Sequence, residues 1–394
     1  MTTALVVIDG EHYPPVVRDA IAELPYDVTG AWLAGGTEKL RGATDYGVPL
    51  LGSLEEGFGD AQVVVDLSDE PVLGPRERLL LASRVLAAGL RYEGADFRFE
   101  PPQFASFPLP SLAVIGTGKR VGKTAVTGHV ARLLAREREV VVVAMGRGGP
   151  EEPQLAAVRP TLNVLLELSR AGHHAASDYL ETAALTGVVT IGCRRAGGGL
   201  AGAVTTSNVL QGAALAAERE PDVVVFDGSG AAVPPIDVDA RILVSGRGHD
   251  PLAYLNAYRV LISDIVVLVG GGSVDAIKTF KQMPVLEARL RLRPVAPLQG
   301  RRVAVFTTGP AATDELEGEV VAVSRNLANR ERLAEDLARI DADVYLVEIK
   351  AAAIDLVAEA AVQRGVDVVF AENEVVAPGL DEAIMTLVPT KVRA

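Results

Sequence analysis

Short apolar runs rich in β-branched residues alternate along this chain with stretches whose apolar positions recur at helical spacing. Strands are predicted at Leu5 to Ile8, Val63 to Leu67, Leu112 to Ile115, Val140 to Met145 and Val188 to Ile191. Further runs follow at Val223 to Phe226, Ala240 to Val244, Ile265 to Val269, Val303 to Thr307, Val344 to Val347 and Val368 to Phe370. The helical pattern fits Pro15 to Glu23, Arg76 to Ala88, Ala125 to Arg136, Leu327 to Arg339 and Ala351 to Arg364. Strands that read as near-continuous apolar runs, with helices between them, belong to parallel α/β layers. Phe99 to Pro110 is rich in Pro and Phe and without period, and Arg293 to Pro297 is a second Pro-bearing break. The pattern therefore divides the chain into an N-terminal α/β part (1–98), a linker (99–110), a central part (111–297) and a C-terminal α/β part (298–394). No fixed-period repeat or low-complexity tail interrupts it.

The central part carries the chemistry. Between the strand ending at Ile115 and the helix starting near Ala125 lies Gly116-Thr117-Gly118-Lys119-Arg120-Val121-Gly122-Lys123-Thr124. Glycines let backbone N–H groups turn towards phosphate oxygens, Lys123 reaches the β- and γ-phosphates, and the Thr124 hydroxyl ligates Mg²⁺. The motif departs from the ordinary spacing in having Thr at 117, with Gly on both sides. With strand, loop and helix in this order, the central part is read as a doubly wound P-loop NTPase domain flanked by smaller, Rossmann-like α/β units. ATP and Mg²⁺ are the expected cofactors.

A second carboxylate is needed near the metal, at the end of a neighbouring apolar strand. Asp227, closing Val223 to Phe226 and followed by Gly228-Ser229-Gly230, fills that position. Met145-Gly146-Arg147-Gly148-Gly149-Pro150-Glu151 also follows a strand; Arg147 is expected to face phosphate and Glu151 the metal, with an ordinary surface turn as the competing reading. Gly192 to Gly202 carries Arg194, Arg195 and the run Gly197, Gly198, Gly199, and leads to Ser207 and Asn208 before a helical run. Guanidinium forks, exposed backbone donors and a nearby helix start suit an anion, so this segment is expected to hold a small phosphorylated substrate. A long solvated loop is the alternative.

Composition narrows the classes. A net charge of -13 argues against a general nucleic-acid binder. The single cysteine, Cys193, excludes a disulfide framework and reads as a small buried apolar residue. Five histidines, with His173 and His174 adjacent, give little material for a zinc site. The first apolar run is too short for a secretion signal and no run is long enough to span a bilayer, so a cytoplasmic protein without membrane contact is expected. A homodimer is the general expectation for such an enzyme.

Phosphate loops with this Gly-Thr opening and a Val-Gly-Lys-Thr close occur in dethiobiotin synthetase and its relatives. Over almost its whole length the chain resembles the cyclic 2,3-diphosphoglycerate synthetase family. The resemblance rests on Val7 to Val16, the phosphate loop, Met145 to Pro150, His174 to Tyr179, Arg194 to Gly202, Phe226 to Gly230 and Val323 to Ala328. It implies use of ATP to close a phosphoanhydride between the 2- and 3-phosphates of 2,3-diphosphoglycerate, releasing ADP and phosphate. Lys123, Lys119, Arg147, Arg194 and Arg195 then stand as the catalytic cations. Many relatives of this P-loop subclass carry Glu at the position of Asp227. Two readings compete: another P-loop ligase or kinase acting on a small phosphorylated acid, and a nucleotide-binding regulator or metallochaperone.

Overall fold

The structure is a computed structural model describing residues 1–37, 40, 45–172, 177–308, 312–349 and 353–388. The chain packs as two compact units: Met1–Gln103 with Leu200–Gly202 and Asp250–Ile262, and Phe104–Gly199 with Ala203–His249 and Ser263–Ala394.

In the first unit six strands lie in the order Leu50–Leu51, Asp27–Leu33, Thr3–Ile8, Val63–Asp66, Arg91–Glu93, Arg98–Phe99. All neighbours are parallel except the last pair. Thr3–Ile8 is apolar without alternation because both faces are covered. Ala4, Val6 and Ile8 pack with Val17 and Ile21, whereas Leu5 and Val7 pack with Leu81, Val85 and Leu86. Asp250–Ile262 joins this second core through Leu255 and Tyr258. The buried Arg259 guanidinium donates to the carbonyls of Leu200 and Leu255 at 3.0 and 3.1 Å, and burial lowers its pKa to about 10. Leu200 to Gly202, expected to belong to the anion-binding loop, packs here instead.

The second unit is built on a thirteen-stranded sheet. From one edge it runs Thr206–Ser207, Val189–Ala196, Val140–Gly146, Val223–Asp227, Ser111–Gly116, Ala240–Gly246, Ile265–Val269 and Val285–Pro294. It continues through Asp367–Val376, Val344–Glu348, Arg302–Phe306 and Glu319–Ser324, with Gln154–Ala156 beside Val189–Ala196. Two parallel blocks are joined by one antiparallel pairing, Val285–Pro294 against Asp367–Val376. The break expected at Arg293 to Pro297 is thus no break in the sheet. Val285–Pro294 was missed although Leu290 and Leu292 alternate with Arg289, Arg291 and Arg293, the period of a half-exposed strand. Its arginines pair across the ladder: Arg291 bonds Glu374, and Arg293 bonds Glu372.

Asn329 caps the helix Arg330–Arg339 by accepting from the Arg332 N–H, as a residue of that type should at that place. The helix expected over Ala351 to Arg364 is, in its described part, a π-helical turn at Ala353–Ala358 followed by Glu359–Arg364. Among the described residues no helix is long and apolar enough to cross a membrane.

Candidate active site

The strand Ser111–Gly116 is buried throughout, and the helix after the loop, Lys123–Leu134, begins at the loop lysine itself. Gly122 sits at φ +91°, where a side chain would be strained. Thr117 answers the departure from the ordinary motif. Its N–H donates to the Val244 carbonyl at 3.0 Å and its hydroxyl bonds Ser245 Oγ at 3.2 Å. The residue therefore ties the loop to the neighbouring strand, Ala240–Gly246, which leaves the backbone amides of Gly118 to Lys123 for a ligand.

Lys123 reaches the end of the strand on the other side. Its Nζ lies 2.5 Å from Asp227 Oδ1, and Thr127 Oγ1 donates to the same oxygen at 2.8 Å. Asp227 is wholly buried, and among the described residues its Oδ2 has no hydrogen-bond partner. Burial pushes its carboxyl above the ordinary carboxylate value, against the pull of the Lys123 charge. The unused Asp227 oxygen and the Thr124 hydroxyl are hard-oxygen donors of the kind Mg²⁺ takes, and such sites commonly need only one or two carboxylates. No group of three or more His, Cys, Asp or Glu is placed to hold a metal among the described residues.

Lys123 and Thr124 border a cavity of about 700 Å³ that also takes in Lys119, Arg120, Arg147 and the Gly146 to Gly149 turn, with the buried Asp227 behind Lys123 and not among the lining residues. The turn is pressed against the next strand: a Cβ on Gly149 would lie 2.0 Å from the Cys193 carbonyl oxygen. Arg147 Nη2 lies 2.7 Å from where a Cβ on Gly230 would be, so a side chain at 230 would displace the guanidinium. Arg195 donates from Nη2 to the Ser229 carbonyl at 2.8 Å. Burial lowers its pKa, as does the nearby Arg147 charge, while Asp178 opposes both.

The remaining predicted substrate residues are placed differently. Arg194 and Arg195 lie within the strand Val189–Ala196, and Thr206–Ser207 folds back antiparallel on it, so the expected long loop is a ribbon closed by Gly197 at φ +71°. Gly199 N donates to the Ala203 carbonyl across this turn. Asn208 accepts from the Arg194 N–H at 2.6 Å and donates to the carbonyls of Pro150 and Glu151, so its amide is occupied in bracing the ribbon. Ser207 Oγ accepts from the Val209 N–H. Glu151 is 82% exposed and 3.8 Å from the half-exposed Arg194. Arg194, Arg195, Glu151, Gly197, Gly198, Gly199, Ser207 and Asn208 are not among the residues lining the cavity. His173 and His174 fall outside the described residues. Cys193 is buried, and burial raises its thiol to about 12.

The opposite wall of the cavity comes from the C-terminal part of the chain, which motif reasoning could not connect to the phosphate loop. Glu348, closing Val344–Glu348, accepts from the Thr308 N–H and hydroxyl at 2.8 and 3.1 Å and from Asn373 Nδ2 at 2.9 Å. Arg132, on the helix after the phosphate loop, donates to Glu372 at 2.6 Å and carries the wall to that helix. The only advance sign of these residues was their position at or near the ends of apolar strands, where α/β sheets bind ligands.

Three family models match consecutive stretches of the chain: cyclic 2,3-diphosphoglycerate synthetase N-terminal domain over 3–100, P-loop domain over 111–287 and C-terminal domain over 294–374. A curated cyclic 2,3-diphosphoglycerate synthetase of Rubrobacter xylanophilus is 48% identical, over 97% of this chain and 96% of that protein. One of Thermococcus kodakarensis is 41% identical over 94% of each. Among solved structures, the ATP complex of LpxK from Aquifex aeolicus aligns with 72% of this chain and 90% of its own at 15% identity and a TM-score of 0.43, too distant to bear on function. The chain therefore belongs to the cyclic 2,3-diphosphoglycerate synthetase family, and is an enzyme of the ligase type.

Proposed function

We propose that the protein uses ATP to form an intramolecular phosphoanhydride in 2,3-diphosphoglycerate, giving cyclic 2,3-diphosphoglycerate, ADP and phosphate. The observation that carries this reading is the phosphate-loop cavity itself. Lys123 and Thr124 stand at one helix start, with the buried Asp227 beneath and Lys119, Arg120 and Arg147 around them. The names of the relatives supply the substrate.

The reaction brings anion to anion twice. The γ-phosphoryl group passes to one substrate phosphate, and the neighbouring substrate phosphate then displaces inorganic phosphate from that anhydride, closing the ring. Phosphate oxygens are already ionised nucleophiles at neutral pH, so no strong general base is required. Lys123 leaves its contact with Asp227 for the β- and γ-phosphates, the loop amides cradle the phosphate chain, and Arg147 and Lys119 neutralise the charge gathered between donor and acceptor. Thr124 and Asp227 hold Mg²⁺, which when bound supplies further charge neutralisation. Holding the two substrate phosphates together is worth about 7 to 11 kcal/mol when alignment is good. Arg195 acts from behind, through the Ser229 carbonyl, while Arg194 remains a candidate for steering the anionic substrate from the edge of the sheet.

The three matched stretches are read as three parts of one enzyme, working in the cytoplasm on a small phosphorylated acid, as a homodimer. The test is a coupled assay of ADP release with Mg²⁺ and ATP. Release stimulated by 2,3-diphosphoglycerate well above that with 2- or 3-phosphoglycerate supports the reading; equal stimulation by the monophosphates sinks it.

A further inference from the structure

The turn that follows Val223–Asp227 brings a hydroxyl-bearing residue to the phosphate-loop cavity. Ser229 is 5% exposed and lines that cavity together with Gly230. Its backbone is engaged on both sides. The N–H donates to the Ala232 carbonyl at 3.2 Å, and its own carbonyl accepts from the Ala232 N–H at 3.0 Å and from Arg195 Nη2 at 2.8 Å. The same guanidinium nitrogen donates to Ser229 Oγ at 3.3 Å. A guanidinium can only donate, so this bond fixes the polarity of the hydroxyl: a lone pair is taken and the proton is left to be given elsewhere. Among the described residues no acceptor receives it.

The turn lies between the phosphate loop and Arg147. Its Gly230 carbonyl oxygen is 3.0 Å from where a Cβ on Gly116 would stand, and a Cβ on Gly230 would lie 2.7 Å from Arg147 Nη2 and 3.8 Å from Lys119 Cγ. The strands run in the order Ser111–Gly116, Val223–Asp227, Val140–Gly146, so the loop, the Ser229 turn and the Arg147 turn follow one another across the strand ends. Lys123, which marks the β- and γ-phosphates, leans towards the end of Val223–Asp227. A group that accepts the γ-phosphoryl therefore lies past that phosphate, between Ser229 and Arg147. The opposite wall is poorly suited to such an anion, because Glu348 and Glu372 line it and Arg132 is already paired with Glu372.

We infer that the Ser229 hydroxyl donates to the substrate phosphate that accepts the γ-phosphoryl group, and that Arg195 holds it in that direction. This rests on the reading of the cavity as a site for ATP and a bisphosphorylated acid. Ser229 is a donor here and not a nucleophile: no bond to its oxygen forms, and the hydroxyl keeps its proton through the transfer.

The test measures steady-state ADP release by the full chain with 2,3-diphosphoglycerate, Mg²⁺ and ATP, with affinity for the non-hydrolysable analogue AMP-PNP and the thermal midpoint alongside. Ser229→Ala is expected to lower kcat/KM for 2,3-diphosphoglycerate about 10- to 100-fold, the usual size of a hydrogen bond to a charged group, while AMP-PNP binds within about two-fold of the unaltered protein. Ser229→Cys, close in size but a weak donor, loses about as much, and Ser229→Thr, which keeps the hydroxyl, recovers part of the loss. A residue that only braced the turn would lose AMP-PNP affinity and thermal midpoint in step with kcat/KM, or would tolerate Cys. Either result overturns the assignment, as does a kcat/KM for Ser229→Ala within about two-fold of the unaltered value. If the unaltered protein releases no more ADP with 2,3-diphosphoglycerate than without it, the substrate reading itself falls and this assignment with it.

Discussion

Two aspartates close central parallel strands in this chain, one in each unit, and they have opposite fates. Asp9, after Thr3–Ile8, is completely engaged: Oδ1 accepts from the N–H groups of Glu11 and His12 and contacts His12 Nδ1, and Oδ2 accepts from the Asp69 N–H. Burial alone raises its pKa, but these hydrogen bonds outweigh burial and hold it below the usual carboxylate value. Asp227, after Val223–Asp227, is just as buried but has one oxygen without a partner, and its pKa is displaced upward. A strand-end carboxylate whose lone pairs are all taken by its own backbone holds a turn together. One left with an unused oxygen, behind a lysine that itself lines a cavity, is arranged for a ligand at some cost to stability.

The largest expected effect bears on the Asp227 side. Lys123→Ala lowers turnover by about 10³-fold, near 4 kcal/mol of transition-state stabilisation, and also lowers the thermal midpoint by leaving the buried Asp227 without its cation. Steady-state rates beside a melting curve check both halves of the statement. Gly149→Ala comes next. A methyl group at 2.0 Å from the Cys193 carbonyl forces the turn carrying Arg147 to move, so kcat/KM is expected to fall about 10- to 100-fold; an unchanged value would mean that Arg147 is not held for the reaction. On the Asp9 side the roles reverse. Asp9→Ala leaves backbone donors without an acceptor and costs about 3 kcal/mol in a denaturant titration, while kcat of the folded protein stays close to that of the unaltered chain. A collapse of kcat at undiminished stability would give Asp9 a ligand too.

The smallest effects are titrations. Asp9 has its folded pKa below the ordinary 3.8, so its contribution is present in full above the unfolded value and is lost as pH falls through the folded one. The stability gap between the unaltered protein and Asp9→Asn should therefore be constant above about pH 5 and close in more acidic solution. Cys193, raised to about 12 by burial, should resist thiol reagents in the native protein at about pH 8 and react only after unfolding.

Much of this was legible in the chain. The phosphate loop, its strand and its helix announce themselves locally, and Asp227 is marked by the unbroken run Val223 to Phe226 before it. The less legible parts share a cause. Glu151 and Asn208 have suitable chemistry at suitable places in the sequence, but whether a side chain faces the cavity or braces a ribbon depends on tertiary contacts such as the bond from Asn208 to the Glu151 carbonyl. Asp178 lines the cavity, yet it follows no apolar run and carries no spacing rule. Glu348, Glu372 and Asn373 reach the phosphate-loop cavity because one antiparallel pairing joins two parallel blocks. A strand alternating arginine with leucine made that pairing, and its period of two was there to be read.

The most direct measurement is ³¹P NMR of the purified protein with ATP, Mg²⁺ and 2,3-diphosphoglycerate, beside the Lys123→Ala variant. The account predicts a new pyrophosphate-type signal derived from the substrate, appearing with ADP and inorganic phosphate and absent with the variant. Continued ATP hydrolysis with both substrate phosphate signals unchanged would contradict it.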